Sequence, residues 1–371
     1  TVNAGSYSVV EVTDNDYTTT YSNSLNGNTN CSSLVVPNGG QATCTITNND
    51  KSPYLKLIKT VTNNNGGTVS NTSWTLIATG STTATSFQGT SGVDSTSVTN
   101  FLAGSYTLSE TGPSGYTPGS WSCVGGTAID GIIQLVLGQS ATCTIDNNDN
   151  TPKLKLVKQV TNNSGGNRSA TEWTLTATGP TTISGAGGVE SGASFSAGTY
   201  TLSESGPTDY TKGSWSCPGK TVTSDQIVMN LGDDITCTIT NDDKPGTLIV
   251  NKLLTNDNGG TKTVQNFSYT VNGGLPVAFE TDASNSQTVN AGSYSVVEVT
   301  DNDYTTTYGN SLNNNANCSN LVIPNGGQAT CTITNNDIAP KLTLNKILVK
   351  DNGGNASESD WELTASGVGD I

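Results

Sequence analysis

Apolar residues recur in short alternating runs along the whole chain, interrupted by Gly, Asn, Asp and Pro. Alternation of period two places every second side chain on one face of a strand, and the interruptions are turn formers. No segment carries the spacing of an amphipathic helix. The pattern predicts an all-β protein, a sandwich or a barrel.

The chain also repeats itself. Thr1–Tyr21 recurs unchanged at Thr288–Tyr308, and within that interval a shorter unit recurs. The runs LKLIK, LKLVK, LIVNK and LTLNK place Lys59, Lys158, Lys252 and Lys346 at spacings of 99, 94 and 94. A fixed period of this kind marks an array of similar modules. Three complete repeats are expected at 53–150, 151–244 and 245–338. Residues 1–50 read as the C-terminal part of another repeat, and 339–371 as the N-terminal part of a further one. Two subtypes occur: repeats ending at Asn147 and Asn241 contain Trp-Ser-Cys, whereas those ending at Asn48 and Asn335 contain TDNDYTTTY.

Three polar residues share the apolar face of these strands. Lys59 points with Leu55 and Leu57, Lys158 with Leu154 and Leu156, and Lys252 with Leu248 and Val250. By the same alternation Glu110, Glu204 and Glu298 follow Tyr106, Tyr200 and Tyr294, and Asn147, Asn241 and Asn335 follow Cys143, Cys237 and Cys331. The Glu-to-Asn separation is 37 in every copy, including Glu11 and Asn48, although the cysteine spacing between them changes from 20 to 13. Burying Lys and Glu costs several kcal/mol unless they neutralise or pair. One chemistry uses all three types. A desolvated lysine loses its proton and attacks the Asn carboxamide, while a protonated Glu stabilises the oxyanion and relays protons to departing ammonia. The product is a Lys–Asn isopeptide bond. The alternative is a buried Lys–Glu salt bridge with Asn holding a turn. Lys346 has no Asn partner in the sequence, and Glu11 and Asn48 have no Lys.

Composition narrows the function. With 15 Lys and Arg against 30 Asp and Glu the net charge is −15, which argues against nucleic acid and anionic membranes as partners. The absence of His removes Ser/His/Asp and Cys/His catalysis and His-ligated zinc, so no enzyme acting on an outside substrate is expected. No run approaches the length of a membrane span, and export or anchoring signals are expected outside this segment.

The eight cysteines fall two per repeat, as Cys31/Cys44, Cys123/Cys143, Cys217/Cys237 and Cys318/Cys331. An even, local pairing reads as intradomain disulfides and an oxidising, extracellular compartment. Asp and Asn cluster at the repeat junctions, at 48–50, 147–149, 241–243 and 335–337. Those oxygens could hold Ca²⁺ or simply form solvated turns, and no other cofactor or metal is expected. Asn-Gly pairs such as Asn26-Gly27 are further turn formers.

A lysine in the first strand, AGSYTLSETGPSGY at 103–116 and an xIxN last strand resemble the collagen-adhesin B-type, prealbumin-like (SpaA-type pilin) domains of microbial surface proteins. That resemblance spans all three complete repeats and implies an all-β tandem array of Ig-like/prealbumin-like β-sandwich domains, with autocatalytic isopeptide bonds for Lys59/Asn147, Lys158/Asn241 and Lys252/Asn335 and with Glu110, Glu204 and Glu298 as the catalytic carboxyls. The repeat at 245–338 departs from the pattern by having SVVEVTDNDY. The cysteine pairs are not a general property of that family.

The sequence therefore points to the structural repeat region of an extracellular stalk, fibre or pilus-like filament on a microbial surface, its partners being neighbouring copies of the same repeat. The alternative is an adhesin whose modules bind a glycan or surface-protein ligand through the variable stretches at 81–98 and 181–196.

Overall fold

A computed structural model describes residues 1–25, 30–81, 85–312 and 317–367. The Asn26-Gly27 pair and residues 82–84 of the first variable stretch lie outside the described residues. The fold is all-β: strands are joined by turns and by 3-10 turns of three residues, with no α-helix among the described residues. Two compact units divide the chain. One comprises residues 1–159, 170–206 and 214–240, and the other comprises 160–169, 207–213 and 241–371.

The first unit displays the full architecture at 53–150. The lysine strand (Tyr54–Thr62) lies parallel to the asparagine strand (Ser140–Asp149), with Lys59 opposite Ile145 and Val61 opposite Asn147. Ser122–Val124 and Tyr116–Pro118 complete that sheet along the asparagine strand. The facing sheet holds the glutamate strand (Gly104–Thr111) between Thr75–Gly80 and Ile132–Leu135, with Phe87–Gly89 and Ala128–Ile129 at its edges. The first and last strands of the repeat are thus neighbours in one sheet, and the glutamate strand lies in the other. Between them Leu55, Leu57, Leu76, Tyr106, Leu108, Ile133, Cys143 and Ile145 form a closed core. Burial of this apolar face, roughly 25 cal/mol per Å², drives the two sheets together.

The repeat at 151–244 keeps the pairing of lysine and asparagine strands but adds a strand beside the lysine strand, with Gly188–Glu190, Lys153–Thr161, Asp234–Asp243 and Tyr210–Lys212 in one sheet. Ile183–Ala186, Thr174–Thr178, Gly198–Ser205 and Gln226–Met229 form the other. Phe195 is fully buried and belongs to this core, as Phe87 does at 53–150. The variable stretches therefore supply core residues and strands as well as surface.

In the second unit Gly246–Thr255 lies parallel to Gln328–Asp337, with Lys252 opposite Ile333 and Leu254 opposite Asn335. Ser284–Val289 and Tyr304–Asn310 flank that pair. Ser268–Val271 pairs with Val296–Glu298 in the facing layer.

The two end segments differ from the complete repeats. Residues 1–50 form two ribbons, Gly5–Tyr7 with Leu34–Val36 and Tyr17–Asn23 with Cys44–Asp50, and leave Val10 and Val12 exposed. Residues 339–350 form no strand, and Leu342 and Leu344 stay exposed. A lysine strand needs the ladder of a neighbouring strand, and residues 339–350 pair with none among the described residues.

Candidate functional site

Alternation carries each lysine inward. In Tyr54–Thr62 the residues Leu55, Leu57 and Lys59 are buried in turn while their neighbours are not. Lys59, Lys158 and Lys252 are at most 4% exposed, and Asn147, Asn241 and Asn335 at most 2%. The sandwich then brings the glutamate across from the facing sheet.

At 53–150, Glu110 bridges the other two groups. Asn147 Nδ2 donates to Glu110 Oε1 at 2.6 Å, and Lys59 Nζ makes an ion pair with Glu110 Oε2 at 3.2 Å. Lys59 Nζ also donates to the Ile145 carbonyl at 3.4 Å, two residues before Asn147 on the asparagine strand. Asn147 Oδ1 is buried without a hydrogen-bond partner. At 151–244, Lys158 Nζ is 2.6 Å from Glu204 Oε2, and Asn241 is buried. At 245–338, Lys252 Nζ contacts both Glu298 Oε1 and Asn335 Oδ1. In the segment 1–50, which has no lysine strand, Asn48 Nδ2 still donates to Glu11 Oε1 at 2.8 Å. A Glu–Asn hydrogen bond of this kind therefore forms without a lysine beside it.

Burial drives the Lys59 and Lys252 ammonium groups below the ordinary lysine pKa, and the nearby Glu110 and Glu298 only partly oppose the shift. An aromatic ring walls each lysine off from water. Nζ of Lys59 lies 5.2 Å from the Trp74 ring centroid, Lys158 lies 5.0 Å from Trp173, and Lys252 lies 4.0 Å from Phe267. Lys346 is likewise 4.8 Å from Trp361. In the three complete repeats each ring residue stands immediately before the second strand, Thr75–Gly80, Thr174–Thr178 or Ser268–Val271, and the sequence reading did not place it at the site. The regular offset of 15 from each lysine was the available signal.

The departure at 245–338 has its own chemistry. Thr306, opposite Asn335 in the ladder, donates to Glu298 Oε2 at 2.8 Å. The Tyr308 hydroxyl accepts from the Glu298 backbone N–H at 3.0 Å. The position opposite the asparagine is Pro118 at 53–150 and Lys212 at 151–244. TDNDYTTTY thus supplies a hydroxyl to the carboxylate that the other subtype does not.

All four expected disulfides are present: Cys31–Cys44, Cys123–Cys143, Cys217–Cys237 and Cys318–Cys331. Three of the four junction clusters, at 147–149, 241–243 and 335–337, are each organised around one carboxylate. Asp149 accepts from the amides of Asn64, Asn65 and Gly67 at 2.8–3.0 Å. Asp243 caps Asn163, Ser164 and Gly166, and Asp337 caps Asp257, Asn258 and Gly260. These oxygens are occupied by backbone donors, and no group of three or more acidic or cysteine side chains gathers as a metal site among the described residues. The calcium expectation therefore finds no support in the donor arrangement, which serves to hold a turn.

A tandem array of two-layer β-sandwiches, each with a buried Lys/Glu/Asn set between first strand, facing strand and last strand, defines the class. The chain belongs to the prealbumin-like fold domain family, which matches it four times in tandem, at residues 1–46, 50–145, 149–239 and 243–333. Among solved structures it is similar to the Bacillus anthracis TIE protein, with 15% identity over 82% of this chain and a TM-score of 0.44. The chain spans 55% of that protein's length. It is also similar to the major pilin T-13 of Streptococcus pyogenes, with 16% identity over 52% of this chain and 97% of the pilin, at a TM-score of 0.28. Two B repeats of the Staphylococcus aureus collagen-binding protein match 88% of this chain and 95% of their own length, at 15% identity and a TM-score of 0.18. No curated protein matches the chain.

Proposed function

We propose that the chain is a structural repeat region of an extracellular stalk, fibre or pilus-like filament on a microbial surface. The repeats at 53–150, 151–244 and 245–338 are each locked by an autocatalytic Lys–Asn isopeptide bond and one disulfide. The observation that carries the reading is Glu110, whose two oxygens face Lys59 on one side and Asn147 on the other.

The chemistry follows from those contacts. Lysine desolvated against Trp74 gives up its proton to the Glu110 carboxylate beside it, becoming an amine nucleophile and leaving Glu110 protonated. Rotated by half a turn about Cβ–Cγ, the Asn147 amide presents its unpaired Oδ1 to Glu110, whose protonated form donates to it. Nζ attacks Cγ, and the oxyanion is stabilised by that hydrogen bond. Collapse of the tetrahedral intermediate breaks the Cγ–Nδ2 bond. Glu110 passes the proton released by Nζ to the leaving nitrogen, so that one Nζ–Cγ amide forms and one ammonia departs. Each site turns over once.

Mechanics supplies the purpose. The linked residues lie on the parallel first and last strands, so tension entering at one strand leaves through the other without loading the 87 residues between Lys59 and Asn147. The disulfide closes a second, smaller loop on the asparagine strand. Together they staple a module whose core is small.

The test is the intact mass of the reduced chain. Three bonds remove three ammonias, about 51 Da in all for acyl transfer to three lysines. Full sequence mass would overturn the covalent reading and leave a disulfide-stapled sandwich with a buried ion pair.

A further inference from the structure

The Asp-capped turns do more than close their own repeat. In the first unit, the turn at 63–67 meets the Ala-Gly-Thr-Tyr loop of the following repeat: Ala197 N–H donates to the Asn65 carbonyl at 2.7 Å. Asn65, only 5% exposed, donates from Nδ2 to the carbonyls of Ala193 and Phe195 at 3.2 and 3.4 Å. In the second unit the same contact recurs between Ala291 N–H and the Ser164 carbonyl at 2.7 Å. In each case the loop is braced by its tyrosine. Tyr200 donates to the Ser196 carbonyl and Tyr294 to the Asn290 carbonyl, both at 2.7 Å.

The linkers are held from both sides. Asn150 N–H donates to Gly115 of the preceding repeat at 2.9 Å, while its carbonyl accepts from Gly232 of the following one at 2.9 Å. Lys244 repeats this with Asp209 at 3.3 Å and Gly326 at 2.9 Å. Lys51 does so with Asp16 at 2.9 Å and Gly138 at 2.8 Å.

We propose that these contacts form a main-chain joint, in which the Gly-Gly turn of one repeat is the docking surface for the Ala-Gly-(Ser/Thr)-Tyr loop of the next. The clamped linker residue is its second point of attachment. Glycine is required at the contact because the neighbouring backbone occupies the space of a Cβ. A Cβ on Gly66 would stand 2.7 Å from the Ala197 carbonyl oxygen, and one on Gly165 would stand 2.8 Å from Ala291 N. Gly259 has the same backbone conformation, φ +96° against +92° and +91°, yet a Cβ there meets nothing within 4 Å. The joint and the isopeptide site share no residue, so the inference stands independently of the covalent reading.

That third turn provides the control for the test. Gly66→Ala, Gly165→Ala and Gly259→Ala in the full chain impose the same left-handed strain but break different contacts. Hydrogen exchange is read at Ala197 and Gly232 for the first joint and at Ala291 and Gly326 for the second. Gly66→Ala is expected to speed exchange at Ala197 and Gly232 roughly two- to tenfold, the worth of one main-chain hydrogen bond, and to leave Ala291 and Gly326 unchanged. Gly165→Ala should do the reverse, and Gly259→Ala should affect neither pair. Equal effects from all three variants, or unaltered exchange at Ala197 and Gly232 in Gly66→Ala, would overturn the joint. Should Gly66→Ala disrupt its own turn, seen as lost protection at Gly67, Asn65→Ala reads the same joint through its two side-chain hydrogen bonds. Unchanged exchange at Ala197 in that variant overturns the proposal equally.

Discussion

Glu110→Gln separates the covalent reading from the ion-pair reading most sharply. Gln keeps the volume and can still hydrogen-bond Asn147, but it cannot relay a proton, so the Lys59–Asn147 bond should not form. The cross-link closes a loop spanning 88 residue positions. Chain-entropy bookkeeping for a loop of that size gives about 4–5 kcal/mol of stabilisation. For a domain of this length each kcal/mol corresponds to several degrees, so the melting transition of the 53–150 repeat should fall by about 20 °C. Buried Lys59 also loses its carboxylate partner, which adds to the drop. Intact mass should report two missing ammonias where the unsubstituted chain reports three, and calorimetry should show one transition displaced while the others stay. A variant that still lacks three ammonias would refute the role of Glu110. An unsubstituted chain with no deficit would refute the chemistry itself.

The remaining expectations concern what surrounds the site. Trp74→Ala removes the wall beside Lys59, at a stability cost of about 3–5 kcal/mol, and should leave a fraction of molecules uncrosslinked by mass. Trp74→Phe, which mimics Phe267 at Lys252, should restore full bond formation, and no difference between the two variants would contradict the desolvation argument. Replacing Cys123 and Cys143 together with Ala opens a loop of 20 residues and should cost about 3 kcal/mol, read as a lower denaturation midpoint. An unmoved midpoint would show that the disulfide adds nothing once the strands are paired. Asp337 sits below its ordinary pKa: desolvation raises it, but the amides of Gly260, Asn258 and Asp257 together outweigh that effect. A depressed carboxyl contributes stability above its unfolded pKa, about 4, and loses it as pH falls through the lower folded value. The protection factor at Gly260, which removes the slower intrinsic exchange in acid, should therefore fall on acidification in that window. Asp337→Asn should abolish the pH dependence, and a pH-dependent variant would reject the assignment.

Much of this protein was legible in its residues because strand alternation has a fixed period. The all-β class, the repeat, the inward facing of Lys59, Glu110 and Asn147, and the pairing of Cys123 with Cys143 all follow from period two and from counting. The meeting of those three side chains did not follow from alternation alone, since it requires the glutamate strand to lie in the sheet opposite the lysine and asparagine strands. Tertiary structure alone decided the rest. Trp74 became the wall beside Lys59 because it ends the 3-10 turn, Asn71–Ser73, that carries the chain from the lysine strand's sheet to the facing one. Thr306 came to serve Glu298 because strand register sets it opposite Asn335. The junction aspartates read equally well as metal ligands or as solvated turns, and only folding showed that Asp149 is buried and surrounded by amide N–H groups. The segment around Lys346 carries the same apolar alternation as the other lysine strands but forms none. Alternation specifies which side of a strand is apolar, whereas a partner strand must supply the hydrogen bonds that make it a strand.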